Sequence, residues 1–496
     1  MQRNCGVLMP ISSLPSMTSI GDFGHEGERF VDFLVECGFT YWQTLPFCLP
    51  DEFHSPYKSH SSFSGNYYFI SPVKLYERGL ITRVELLEAT QKIDYACEYE
   101  RLKEERFDLL YKAAMRVADR SEVKQFIKKR PHIANFCRFM ALGEKNKGEV
   151  WRKWENLQAD EDLLFAWEFT QYEFMRQWQE LKNYANEKGI LIIGDIPIYV
   201  DYNSSDVWAN PEIFDLDEDL LPNSVAGCPP DFFSKDGQMW GNPLYNWQKM
   251  KEDGYAFWRD RLRHMFELFD GVRLDHFRGF SSYWRIPAKA DSAKEGKWMK
   301  GPGKPFIDML KEEAQGRLII AEDLGEATPD VPKLLSYSGF PGMKVFQFGF
   351  LGEKDTPHIP YKYHENCIAY TGTHDNETLL SFIFSMDESE RRRLFAYCNH
   401  TASDWESACD AVIRTLYESH ASTVIFPIQD LLRFGCDTRM NTPGKTENNW
   451  SFRTTWKQLE QIDKKALHHL ADTYGRLPQT NAQQVPQADL SSNLCE

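Results

Sequence analysis

Eight short apolar runs punctuate the chain, and each ends in polar residues. They are CGVLMPISS at 5–13, FTYWQTLP at 39–46, ILIIGDIPIYVD at 190–201 and DGVRLDHF at 270–277, followed by RLIIAEDLG at 317–325, MKVFQFGF at 343–350, CIAYTGTHD at 367–375 and TVIFPIQD at 423–430. Runs of this length, rich in Val, Ile, Phe and Tyr, predict buried strands. Their apolarity is unbroken rather than alternating, which favours parallel strands covered on both faces. Helical spacing lies between them. Over 162–188, Leu164, Trp167, Phe174, Trp178, Leu181 and Ala185 fall on one stripe, Gly189 supplies a stop, and the third run follows at once. Strands alternating with helices predict an α/β fold, a (β/α)8 TIM barrel. The alternative, an open doubly wound sheet, lacks a G-x-G-x-x-G after its first strand.

Two gaps are too long for ordinary crossovers. Within 47–189, the part from 74 to 160 turns helical and charged, with Phe107, Leu110, Ala114 and Val117 on one face. It predicts an inserted helical subdomain. A second, loop-rich insertion spans 202–250 and holds AGCPPDFFSKDGQMWGNPLYNW. The barrel with its insertions is expected over 1–480, with a polar, flexible tail over 481–496 and no C-terminal β-sandwich.

Composition narrows the function classes. The chain has 496 residues, a formal charge of −16, 42% apolar and 26% charged residues, a globular balance. No run of about 18 apolar residues suggests a membrane span. The acidic charge disfavours nucleic acid as main partner. Eleven cysteines include no C-x-x-C pair, which fits thiols in a reducing compartment. The N-terminus lacks a signal-type apolar region, so a cytoplasmic location is the expectation. Aromatics reach 14%; a large core or a sugar-binding cleft would each use them.

Barrel chemistry sits at the C-terminal ends of strands, and carboxylates gather there. Asp195 follows LIIG, Asp275 closes GVRLD, Glu322 closes LIIAE and Asp375 closes AYTGTHD. Any one alone reads as a cap or a satisfied core acid; four at equivalent ends are harder to explain so. Glycosidic chemistry needs a carboxylate pair, one charged at the anomeric carbon and one protonated at the leaving oxygen. Arg273, two residues before Asp275, points to the same side and favours a negative partner. The apolar run before Glu322 favours its protonated form. His374 adjoins Asp375 and can donate to sugar hydroxyls.

R-L-D at 273–275, a Glu 47 residues on and T-H-D ending 53 residues later resemble the catalytic core of the α-amylase clan. The longer strings GVRLDHFRGFSSYW, IIAEDLG, GTHDNET, GDIPIYV with DVWANPEIF, PPDFF with GQMWGNPLYNW, SPYKSHSSFSGN and RMNTPGKTENNW closely resemble the 4-alpha-glucanotransferases, or amylomaltases, of glycoside hydrolase family 77. The resemblance covers about residues 5–457. It implies Asp275 as nucleophile, Glu322 as acid/base and Asp375 as stabiliser of the distorted sugar, with Arg273 and His374 in support. It implies retention, with the two carboxyls about 5–5.5 Å apart. Tyr57 would stack on the donor sugar, while Asp195 and Trp208 would line the same face, although Trp208 also reads as core. A loop at 226–247 would favour a sugar acceptor over water through Asp231, Phe232, Phe233 and Trp240, with Asn242 fixing it. Lys235 stands at a position that varies in the family and is often acidic or small, so it bears on acceptor preference rather than reaction type. The implied partners are maltooligosaccharides and other α-1,4-glucans, with glucose as acceptor; no cofactor or metal is required. A hydrolase on the same fold and a non-catalytic glucan-binding protein are the rivals.

Other signals rank lower. DYNSSD at 201–206 lacks the Gly and distal Glu of a calcium loop. His276 reads as a hydrogen bonder beside Asp275, and His358 and His364 as surface residues.

Overall fold

The computed structural model describes residues 2–230, 235–325, 328–352, 355–401 and 404–478. Its strands are β1 (Asn4–Leu8), β2 (Tyr41–Gln43), β3 (Leu191–Ile196), β4 (Ser224–Cys228), β5 (Gln238–Pro243), β6 (Gly271–Leu274), β7 (Ser282–Pro287), β8 (Lys297–Lys300), β9 (Leu318–Ala321), β10 (Gly342–Val345), β11 (Cys367–Tyr370) and β12 (Thr423–Pro427). Eight of them close into a barrel in the order β1-β12-β11-β10-β9-β6-β3-β2. Each of these pairings is parallel. These are the eight apolar runs, and the unbroken apolarity has its expected cause, since helices cover the outer face of a barrel whose interior is also packed.

Register decides which end groups meet. Leu274 of β6 pairs with Ala321 of β9, so Asp275 and Glu322 are the next residues on adjacent strands. Asp195 of β3 pairs with Arg273 of β6. Adjacent strands lie about 4.8 Å apart, close enough for a direct ion pair. Gly194 is required by packing: a Cβ there would lie 2.2 Å from the Phe269 ring.

The helix Glu161–Glu187 leads into β3 and buries Trp167, Phe174, Trp178, Leu181 and Ala185. Gly189, at φ +82, turns the chain while Ile190 N–H donates back to the Ala185 carbonyl at 2.9 Å, a left-handed stop that glycine adopts without strain. The Trp178 ring sits 4.6 Å from Phe47 and 5.1 Å from Phe23, so much of the aromatic content is core.

Between β2 and this helix, the helices Tyr99–Met115, Ser121–Lys128 and Pro131–Lys145 pack on its flank. In Tyr99–Met115 the buried face is Leu102, Arg106, Leu109, Leu110, Ala113 and Ala114. The expected stripe is therefore rotated: Phe107 is half-buried and Val117 lies beyond the helix end. Arg106 is inside because its guanidinium donates to the Tyr68 and Ile70 carbonyls at 3.0 and 2.8 Å.

The segment 202–250 is not only loop. Strands β4 and β5 join β7 and β8 in an antiparallel sheet of order β5-β4-β7-β8, so this small layer also recruits 282–300. After β12 the described chain forms helices and loops.

Candidate active site

The C-terminal ends of β3, β6 and β9 converge on a cleft of about 450 Å³, lined among others by Tyr57, Trp240, Asp275, Glu322, His374 and Asp375. Arg273 organises one side. Its Nη1 lies 2.9 Å from both Asp195 carboxylate oxygens and 3.0 Å from Asp275 Oδ1. Asp195 is 1% exposed; burial raises its pKa against the opposing pull of Arg273. The same guanidinium is buried yet held above its ordinary pKa by the two carboxylates. Tyr57 closes the chain of contacts, donating to Asp195 Oδ2 at 2.7 Å and stacking on the His374 ring at 5.1 Å and 20°. Its loop is shaped by Asp51, whose Oδ1 accepts from the Phe53 and Ser55 N–H groups at 2.9 Å each, an Asx-type turn.

Glu322 has the environment expected of an acid. Burial raises its pKa to about 7, with Arg273 pulling down and Asp275 pushing up. Two backbone donors orient it: His276 N–H reaches Oε2 and Leu324 N–H reaches Oε1, each at 2.8 Å. His276 achieves this from the left-handed region, φ +51, uncommon for a non-glycine residue. Its imidazole is partly buried at the cleft wall, where desolvation lowers its pKa to about 4, and it meets Trp240 edge to face at 5.0 Å.

Asp375 enters from the loop after β11. Its side chain is 44% exposed and lies 3.4 Å from His374 Nε2. Asn441 Nδ2 donates to its Oδ1 at 2.6 Å, and Arg439 donates to its carbonyl at 2.5 Å.

Asn242 Nδ2 donates to the Val200 carbonyl at 2.9 Å, tying β5 to the segment after β3 while Asn242 also borders the cleft. Trp208 needs correction. It does not line this cleft; its ring lies 6.0 Å from Phe139 and 6.1 Å from Trp154, because the helix Ser205–Ala209 that carries it packs on the inserted helix Pro131–Lys145. Asp231, Phe232 and Phe233 lie outside the described residues. Lys235 is exposed. His358 is only partly exposed: desolvation lowers its pKa to about 4, and its Nδ1 accepts from Val345 N–H at 3.1 Å. His364 is exposed.

Sequence reasoning assigned no role to Phe53, Tyr199, Gln238, Asn441 or Trp450, all of which border the cleft. Asn441 and Trp450 belong to RMNTPGKTENNW; polar and aromatic residues in a loop beyond the last strand were the available signal. Among the described residues, no group of three or more His, Cys, Asp or Glu is placed to hold a metal ion. No helix among them is long and apolar enough to cross a membrane.

The family model described as 4-alpha-glucanotransferase (Glyco_hydro_77) matches residues 9–459. The chain is 40% identical over 500 residues to a 4-alpha-glucanotransferase of Streptococcus pneumoniae, covering 96% of this chain and 98% of that one. It is 38% identical to the enzyme of that name from Aquifex aeolicus, covering 96% and 99%. Among solved structures, an amylomaltase from Streptococcus agalactiae in complex with acarbose matches with a TM-score of 0.92 at 36% identity, covering 96% of this chain and 100% of that one. With a (β/α)8 barrel, carboxylates at its strand ends and matches along nearly its whole length, the chain belongs to the 4-alpha-glucanotransferase family, glycoside hydrolase family 77.

Proposed function

We propose that the enzyme transfers α-1,4-glucan segments by double displacement, with Asp275 as nucleophile and Glu322 as acid/base. The observation that carries this reading is the pairing of unlike carboxyls across adjacent strand ends. Asp275 is ion-paired with Arg273 at 3.0 Å, while burial lifts Glu322 to about 7. In the first step Asp275 attacks the anomeric carbon as Glu322 gives its proton to the departing glycosidic oxygen. In the second, Glu322 takes a proton from the acceptor 4-hydroxyl as that oxygen displaces Asp275, so the α configuration returns. Asp375 holds hydroxyls of the transferred sugar and favours its oxocarbenium-like form. Tyr57 and His374 offer a stacked ring pair to the donor side. Asp195 holds Arg273, and through it the orientation of Asp275. Trp240, with Asp231, Phe232 and Phe233 of the same loop, would receive the acceptor.

The substrates are maltooligosaccharides and related glucans, with glucose as a small acceptor. A structural relative solved in complex with acarbose supports a saccharide in this cleft. A formal charge of −16 suits a neutral ligand better than a polyanion. We also infer a cytoplasmic setting, supported by the cysteines among the described residues, which are free thiols as in a reducing compartment.

Incubation with maltotriose tests transfer. Longer oligosaccharides and free glucose should appear with no net gain of reducing ends. Rising reducing ends without longer products would mean that water is the acceptor and would make the enzyme a hydrolase.

A further inference from the structure

A buried carboxylate outside the cleft holds the loop that carries Asp375. This loop, residues 371–378, runs from the end of β11 to the helix Leu379–Ser385. Asp430, in the short helix Ile428–Leu431 after β12, is 1% exposed. Its Oδ2 accepts from Thr371 Oγ1 at 2.5 Å, and its Oδ1 accepts from the Leu379 N–H at 2.7 Å. One carboxylate therefore grips both ends of the loop. Asp430 does not border the cleft, and it forms no ion pair among the described residues.

Between these two ends the loop has other anchors: Arg439 donates to the Asp375 carbonyl at 2.5 Å and Asn441 N–H to the His374 carbonyl at 3.0 Å. Asn376 Oδ1 accepts from Thr373 within the loop. Gln347 Nε2 donates to the Glu377 carbonyl at 2.8 Å, and Gln347 N–H reaches the Thr371 carbonyl at 3.3 Å. Asp375 itself, nearly half exposed, has Asn441 and His374 as its side-chain neighbours.

We infer that Asp430 is a positioning residue for the transfer reaction: by tying Thr371 to Leu379 it sets where Asp375 stands in the cleft. The inference rests on the reading of Asp375 as the group that stabilises the transition state. Two further observations agree with it. Both hydrogen bonds reach opposite ends of one functional loop rather than neighbouring points of the core. Burial also raises the Asp430 pKa to about 6, and the donors that oppose this shift are Leu379 and Thr371, one at each end of the loop.

The test uses full-length protein, maltotriose transfer and four variants: Asp430→Ala, Asp430→Asn, Asp375→Asn and the double variant Asp375→Asn/Asp430→Ala. Folding is checked by circular dichroism and denaturant titration. A displaced catalytic group loses up to about 100-fold in rate, so Asp430→Ala should lower kcat by about 10–100-fold while KM stays within about threefold. Asp430→Asn should restore kcat to within about threefold, because its oxygen can accept from Leu379 and its amide can donate to Thr371. In the Asp375→Asn background, Asp430→Ala should cost less than about threefold more, since groups acting as one unit are non-additive. A folded Asp430→Ala with unchanged kcat, or an equal loss in both backgrounds, would overturn the inference. Full activity in Asp375→Asn would instead overturn the reading of Asp375. Should Asp430→Ala not fold, Thr371→Val severs one tether only; an unchanged kcat in that variant would equally refute the role.

Discussion

Glu322 is the residue whose chemistry the structure predicts most sharply. With a pKa of about 7, it is protonated below that pH and loses its proton above it. In the proposed mechanism the first step uses this proton, so kcat/KM should fall as pH rises through about 7. Glu322→Gln should abolish that limb and lower kcat by about 10²–10⁴-fold. A pH–rate profile of both proteins checks this; an alkaline limb persisting in the variant would assign it elsewhere. Arg273 carries a different load. Removing it leaves Asp195 buried without its cation, which costs about 3–5 kcal/mol when a buried pair is broken. Denaturant titration of Arg273→Ala at pH 7 should show a loss of that size. The loss should shrink at acidic pH, because Asp195, freed of the guanidinium that lowers its pKa, then folds in its neutral form.

At the scale of elements, β3 and β6 place the site by register, and their packing admits little change. A Cβ on Gly194 would overlap Phe269, and overpacking of this kind costs about 1–3 kcal/mol. Gly194→Ala should therefore lower the unfolding midpoint, and because Asp195 is the next residue it should also lower kcat; an unaltered midpoint would show that Phe269 can move aside. The barrel strands were legible because unbroken apolar runs ending in carboxylates have few other readings. Strands β4 and β5 were not: SVAGC and QMWGNP carry Gly and Pro, and their pairing with 282–300 is a long-range contact that no local pattern encodes. The same holds for Trp208, whose indole would suit a cleft or a seam; only the docking of the inserted helices decides. His358 looked like a surface residue because its Pro- and Tyr-rich surroundings gave no sign that a strand N–H needed an acceptor.

For the whole molecule, the barrel supplies the three acids and the additions supply the walls. The 51–57 loop brings Tyr57, β5 of the small sheet brings Trp240 and Asn242, and the segment after β12 brings Asn441 and Trp450. The acids at the strand ends could be read from order and spacing, whereas the walls depend on loops whose contacts form only in the folded chain. Transfer is proposed to pass through a bond between Asp275 and the sugar. It is tested most directly in Glu322→Gln with α-maltotriosyl fluoride, a donor whose leaving group needs no acid. The first step should proceed while the second, lacking its base, stalls. Rapid acid quench, proteolysis and mass spectrometry should then find a maltotriosyl adduct on the peptide containing Asp275, absent from Asp275→Asn. Fluoride release with no adduct on that peptide, or a sugar attached to another residue, would contradict the assignment.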